Sequence, residues 1–280
     1  MISVLILTYN EEKNIKQCLE SLVDFSDDVY ILDSYSDDRT IDYANLYLNT
    51  DKILYRKFDN YSNQRNWALR NINYKYEWVL MLDADEILTE EVKISIEENL
   101  KNVKDNVVGF SIRLRMYFLD KYLRYRLWPL KRKTIYRHKD VEFKRDINEH
   151  ITSINPTRDV WMEIDGYLLH KDNKSLHDYL AKHNHYSTME AFRILEERKE
   201  PIDWRNLKNM TEIKKVFYRL PFRNIAYFLY LYIYKFGFLD GKTGFRFIMT
   251  RINYQFDIDI KMKELQKRHI LKEDYISFKK

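Results

Sequence analysis

The run Trp78-Val79-Leu80-Met81-Leu82 stops abruptly at Asp83-Ala84-Asp85-Glu86. Apolar residues in unbroken succession, without polar alternation, suit a strand covered on both faces, as in a central parallel sheet. Open sheets of that kind bind ligands in the crevice beyond the carboxyl ends of their strands. The acids that follow therefore stand where chemistry is done. Carboxylates one residue apart on a turn can face a single hard cation, and such an oxygen site suits Mg²⁺ or Mn²⁺ carrying substrate phosphates. A plainer role is open to the same acids, which are favoured where a helix opens, here at Thr89.

The rest of the first hundred residues repeats this plan. Strand-like runs at 3–7, 29–32 and 53–55 alternate with amphipathic helices expected over about 11–23, 40–48, 63–71 and 90–102. That series implies an α/β fold with a Rossmann-like, mostly parallel sheet flanked by helices. Another strand is expected over 107–115. A basic, aromatic, loop-like stretch then runs from Met116 to Pro156, and the chain turns helical after Gly166, with Ser175 as a candidate N-cap for a helix ending near Arg198 and a second helical block from about Thr211 to Lys235.

Composition removes several alternatives. The first of the 5 glycines is Gly109, so neither a G-x-G-x-x-G turn nor a Walker A loop can be written before it. Any nucleotide bound there is held by side chains and helix starts, not by a glycine-rich cradle. The single cysteine, Cys18, excludes an internal disulfide framework, and Met1 leads directly into an apolar run with no basic segment, so a cytoplasmic protein is expected. The net charge is +5, with Arg, Lys and aromatic residues concentrated in 114–145 and 218–251, the expected anionic contact surfaces.

Each early strand ends in a polar cluster: Thr8-Tyr9-Asn10-Glu11, Asp33-Ser34-Tyr35-Ser36-Asp37, and the acids after Leu82. With Gln64-Arg65-Asn66-Trp67-Ala68 between them, these clusters resemble, in order and spacing, the family 2 glycosyltransferases of the GT-A fold: a T-x-N-E start, a D-S-x-S-x-D-x-T turn through Thr40, a Q-x-N-x-A helix and a D-A-D-E loop. Further along, Ile135-Tyr136-Arg137, Asn148-Glu149-His150, His170, the segment 182–187 and the segment 237–241 resemble the bacterial lipopolysaccharide-core β-glucosyltransferase branch. Two departures stand out. Asp38-Arg39-Thr40 replaces the usual D-G-T, and Asn148-Glu149-His150 stands where many relatives have His-Glu.

The resemblance implies a catalytic, nucleotide-sugar-binding domain over 1–170 and a helical C-terminal region over 171–280, in contact with acceptor or membrane surface. It also implies a UDP-sugar donor, a glycan or lipid-linked saccharide acceptor, and Mn²⁺ or Mg²⁺ as cofactor. Asp33 would read the uracil edge, the segment 8–11, with Thr8, Asn10 and Glu11, would cradle base and ribose, Ser36 would belong to the same nucleotide site, and Arg65 would lie near the nucleotide. Asp85 would bind the metal across the diphosphate, with Asp83 contacting the ribose or a water of the metal. Residue chemistry agrees, since a carboxylate accepts the uracil N–H and Thr and Asn serve a ribose. Asn10 also suits a helix cap, and Arg65 an exposed helix cation.

Inverting transfer needs a base to take the acceptor hydroxyl proton. Glu149 is the candidate, with Asp146 as the fallback. His170, closing the apolar run 167–169, suits either a hydrogen-bonded structural role or a metal or diphosphate contact. His177, His183 and His185 lack a two-turn ligand spacing with a matching acid, which argues against zinc.

Two other classes compete. A nucleotidyltransferase would share the carboxylate pair but needs a basic triphosphate grip near the first strand, where Glu11 stands. A basic module binding nucleic acid or a membrane surface would explain the interleaved aromatics of 122–128 and leave the D-A-D-E loop unexplained; no nucleic-acid partner is expected. The ten apolar residues Ile225 to Tyr234 are too few to span a bilayer. They suit either a buried helix or peripheral docking on an anionic membrane surface.

Overall fold

A computed structural model describes residues 1–125, 130–144, 150–206 and 210–268. They divide into two compact units, one formed by Met1–Tyr122 and Pro129–Asn173, the other by Leu123–Trp128 and Lys174–Lys280.

The first unit is built on a nine-stranded sheet. Strands β1 (Ser3–Thr8), β2 (Val29–Asp33), β3 (Ile53–Tyr55) and β4 (Trp78–Asp83) run parallel in the spatial order β3-β2-β1-β4. Helices α1 (Ile15–Glu20), α2 (Thr40–Ala44) and α3 (Tyr61–Asn71) lie between them in sequence. After β4 come the two-residue strand β5 (Glu86–Ile87), α4 (Glu90–Lys101), β6 (Val107–Phe118), β7 (Lys121–Tyr122), β8 (Leu130–Arg137) and the hairpin of β9 (Val141–Lys144) with β10 (His150–Ser153). The long strand β11 (Val160–His170) closes the unit, and the sheet continues from β4 as β8-β6-β11-β5.

The unbroken apolar runs follow from burial on both faces. Val4, Ile6, Leu80 and Leu82 point into one core, with Ile15 and Leu19 of α1 and Val92 and Ile96 of α4. Leu5, Val79 and Met81 point into the other, with Ala68 and Leu69 of α3. Successive side chains alternate across a strand, so both sets must be apolar.

The stretch expected to be loop-like, Met116 to Pro156, contains β7, β8, β9 and β10. Its basic composition hid them, because β8 draws its order from antiparallel pairing to β4 and β6, which no local propensity reports. The chain is not yet helical after Gly166 either: β11 runs on to His170, with a bulge between Ile164 and Tyr167 where Gly166 adopts φ +100°. A left-handed φ of that kind is open to glycine at little cost.

The second unit is helical: α5 (Leu176–Lys199), α6 (Met210–Arg219), α7 (Arg223–Leu229) and α8 (Gly241–Arg268), with a π turn at Tyr230–Tyr234 and a 3₁₀ turn at Gly237–Asp240 before α8. Ser175 caps α5 in a reciprocal box with Asp178, as its sequence position suggests. Ala191, Phe192 and Ile194 of α5 pack with Tyr218 of α6 and Ile258, Met262 and Leu265 of α8. The block expected to be continuous from Thr211 to Lys235 breaks at Leu220-Pro221-Phe222, because proline cannot continue the hydrogen-bond ladder. No helix among the described residues is long and apolar enough to cross a membrane.

Candidate active site

At the carboxyl ends of β1 and β2 the polar clusters form one network around Asp33. Its carboxylate is fully buried. Oδ1 accepts from Thr8 Oγ1 at 2.7 Å and from Ser36 Oγ at 2.6 Å, and Oδ2 accepts from Ser36 N–H at 2.7 Å. Asn10 N–H donates to Ser36 Oγ at 2.9 Å, Asp37 N–H donates to Asn10 Oδ1 at 3.0 Å, and Glu11 N–H donates to Thr40 Oγ1 at 2.7 Å. Asn10 therefore ties one loop to the other and does not cap α1, whose N-cap is Asn14. Its φ of +53° lies in the left-handed region that Asn tolerates.

Thr8, Asp33 and Ser36 are thus turned inward onto one another, with three of the carboxylate's about four acceptor directions taken. Tyr9 and Tyr35, which the sequence did not single out for a role, are exposed at this edge, and the Tyr35 ring lies 5.8 Å from that of Tyr55. Gln64 Nε2 reaches Ser34 Oγ at 3.1 Å. Asn66 pairs with the backbone of Phe143, donating to its carbonyl at 2.8 Å and accepting from its N–H at 2.9 Å. The Q-x-N-x-A pattern is thus a clasp between helix, β2 loop and β9.

The end of β4 is the second half. β5 pairs antiparallel with β11 in the register Glu86–His170, and Lys171 N–H donates to the Asp85 carbonyl at 2.9 Å. This pairing brings His170 onto the acidic turn: its Nδ1 lies 3.3 Å from Asp85 Oδ1 and 4.0 Å from Glu86 Oε1. His170 Nδ1 and Glu86 Oε1 are buried with no hydrogen-bond partner. Buried polar atoms left so are costly, and a site that keeps them needs a reason.

Asp83 has other partners. Arg65 lies 3.4 Å from its Oδ1, and Arg132 of β8 bridges its Oδ2 to Glu86 Oε2. Burial opposes ionisation of Asp83, but Arg132 and then Arg65 outweigh it and hold the carboxyl well below the usual carboxylate range. Glu86, fully buried, is pushed up, by burial and then by Asp83 and Asp85, against the pull of Arg132. Arg65 is buried, which settles it against an exposed helix cation. Arg132 is the site residue that sequence reasoning missed, and Glu86 was named there only as part of the D-A-D-E loop. Glu149 and Asp146 lie outside the described residues.

The donor set fits a divalent cation. Two ligand atoms about 2.1 Å from an octahedral ion and at right angles lie roughly 3 Å apart, close to the 3.3 Å between Asp85 Oδ1 and His170 Nδ1. No group of three or more His, Cys, Asp or Glu able to hold an ion occurs among the described residues. Two protein ligands suffice where substrate phosphates supply others.

The model of glycosyl transferase family 2 matches residues 3–156, more than half of the chain. The chain belongs to glycosyl transferase family 2. The α/β sheet of the first unit and the helices of the second agree with the fold class expected from the sequence. A lipopolysaccharide core biosynthesis glycosyltransferase, LpsC of Rhizobium meliloti (strain 1021), is 27% identical over 97% of this chain and 94% of its own length. An uncharacterized glycosyltransferase of Rickettsia bellii (strain RML369-C) is 28% identical over 86% of this chain and 79% of its own. Among solved structures, S. aureus TarS 1-349 is similar at 17% identity and a TM-score of 0.44, covering 97% of this chain and 92% of that one.

Proposed function

We propose that this family 2 enzyme is a metal-dependent, inverting glycosyltransferase that moves a hexose, with glucose as the first candidate, from a UDP-sugar to a glycan or lipid-linked acceptor such as lipopolysaccharide core. The observation that carries the reading is the approach of His170 Nδ1 to Asp85 Oδ1 at 3.3 Å beyond β4, with the buried imidazole nitrogen lacking a hydrogen-bond partner. Asp85 and His170 would hold Mn²⁺ or Mg²⁺. A divalent ion there supplies charge neutralisation for the departing diphosphate.

The chain's own residues do the rest. Asp83 holds Arg65 and Arg132 at the site, a positioning role that its ion pairs favour over direct metal ligation. Thr8, Asn10, Glu11 and Ser36 shape the loops that the buried Asp33 braces from within, and the exposed rings of Tyr9 and Tyr35 offer faces on which the base would stack. Glu149 is assigned the acceptor proton on sequence grounds. The lipopolysaccharide-core acceptor follows the LpsC relative.

A thermal-shift screen of nucleotide sugars with and without Mn²⁺ tests the reading, since a ligand that binds only the folded state raises Tm. UDP-glucose with Mn²⁺ is expected to stabilise the protein more than either alone. Indifference to every UDP-sugar in the presence of Mn²⁺ would overturn the reading.

A further inference from the structure

The second unit carries an uncovered apolar face. Among the described residues Phe236 is 55% exposed, Phe238 44% and Phe245 43%. The Tyr232 ring lies 6.1 Å from Phe238 and 5.8 Å from Phe245, and Phe236 lies 6.3 Å from Phe238, so the rings form one patch. Contiguous exposed apolar surface of this kind marks an interaction site.

The backbone supports a presenting role. Phe236 opens the 3₁₀ turn with φ of +55°. A bulky side chain in the left-handed region is a costly choice where glycine would serve. Strain of this sort gathers at functional surfaces, and here it is spent on a ring that is largely exposed and so adds little to a core.

Charge identifies the occupant. Between Leu220 and Phe256 the sequence has one acid, Asp240. That acid is buried and accepts from the N–H groups of Arg124 and Tyr125, each at 3.0 Å. Arg223 is also buried, 2.6 Å from Asp259. The charge at the patch is therefore positive: Lys242 and Arg246 are exposed, and Lys235 lies 5.5 and 5.6 Å from the rings of Tyr230 and Tyr234. A second copy of this chain would oppose cation to cation. A bilayer with anionic headgroups complements both the apolar rings and the cations, and tyrosine favours that interface.

We propose that this face docks on an anionic lipid surface without crossing it, the rings of Phe236 and Phe238 entering the headgroup boundary and Lys235, Lys242 and Arg246 meeting lipid phosphates. The inference goes beyond the transfer reaction and stands whether or not the UDP-sugar reading holds.

Co-sedimentation of the full chain with vesicles of equimolar phosphatidylcholine and phosphatidylglycerol tests it, with pure phosphatidylcholine as the comparison. Binding is expected to the anionic vesicles only and to weaken as salt rises. The double variant K242Q/R246Q should bind roughly 30-fold more weakly, since each cation near the surface contributes about fivefold. A second readout uses an environment-sensitive label. The native Cys18 is buried, so F236C and, on exposed α5 surface, E196C can each be labelled alone. The label at 236 should brighten and shift to the blue on anionic vesicles, and the label at 196 should not. No sedimentation at low salt, equal binding to phosphatidylcholine, self-association without vesicle binding, or equal responses from the two labels would each overturn the proposal.

Discussion

Nδ1 of His170 stands 3.3 Å from Oδ1 of Asp85, although the two lie 85 positions apart in the sequence. Pairing of β5 with β11 and the hydrogen bond from Lys171 N–H to the Asp85 carbonyl hold them there. The bulge at Gly166 lies upstream of this contact. A bulge shifts the register of all that follows it, so the histidine's placement depends on that glycine.

Arg132 bridges Asp83 and Glu86 from a neighbouring strand and holds Asp83 ionised. Both members of the Arg132–Asp83 pair are partly exposed, so the loss of the charge-assisted hydrogen bonds costs about 1.5–3 kcal/mol. Arg132→Met should lower unfolding stability by about 2 kcal/mol in urea titration and abolish transfer. Arg132→Lys should recover part of the stability but not the bridge, since an ammonium lacks the guanidinium fork. A methionine variant of wild-type stability would show that the bridge contributes nothing.

The strands of the first half were legible because burial on both faces writes itself as unbroken apolar runs, as in Ser3–Thr8 and Trp78–Asp83. The loop motifs were legible as polar clusters at the strand ends. Arg132 was not: its partners lie 49 and 46 residues away, and Leu130-Lys131-Arg132-Lys133 reads as a solvated basic run unless its cross-strand neighbours are known. The sequence left the tail open between buried and interfacial, and only the fold shows that Ile225, Ile233 and Tyr234 are exposed. The inward turn of Thr8 and Asp33 was equally hidden, because residue type does not tell which way a polar side chain faces.

Asp28 ties the amino ends of the parallel strands together, accepting from Ser3 Oγ at 2.6 Å, Lys52 Nζ at 2.7 Å and Lys75 N–H at 2.8 Å. Burial alone would raise its pKa, but Lys52, Ser3 and Lys75 hold it below the ordinary 3.8. A lowered carboxylate contributes stability that is fully present above its unfolded-state pKa and is lost as pH falls through the folded-state value. Asp28→Asn should cost about 2 kcal/mol near neutral pH, and the gap between the urea curves of variant and wild type should narrow as pH falls below the ordinary 3.8. A gap that stays constant across that range would contradict the assignment.

Glu149→Gln keeps shape and removes basicity. Turnover should fall roughly 10²- to 10⁴-fold with UDP affinity retained. Near-normal turnover would move the role to Asp146 or elsewhere. Proton NMR of the first product formed should show the anomeric configuration opposite to that of the donor.

Cys18 lies behind the acidic turn, its Sγ 3.9 Å from the Asp83 carbonyl oxygen. Burial, and then the carboxylates of Glu86, Asp85 and Asp83, push the thiol well above its usual range. A thiol that is both buried and protonated is a poor nucleophile. The native protein should resist a disulfide reagent at pH 8 and release about one equivalent once unfolded in guanidinium. Rapid native reaction would mean that the turn opens.

Calorimetric titration of UDP into wild-type protein and Asp85→Asn, each with and without Mn²⁺, tests the central claim most directly. Wild type should bind UDP at least about tenfold more tightly with Mn²⁺, a difference of about 1.4 kcal/mol, and the variant should lose that increment while melting at the wild-type temperature. UDP binding by Asp85→Asn that matches wild type and responds equally to Mn²⁺ would contradict the claim.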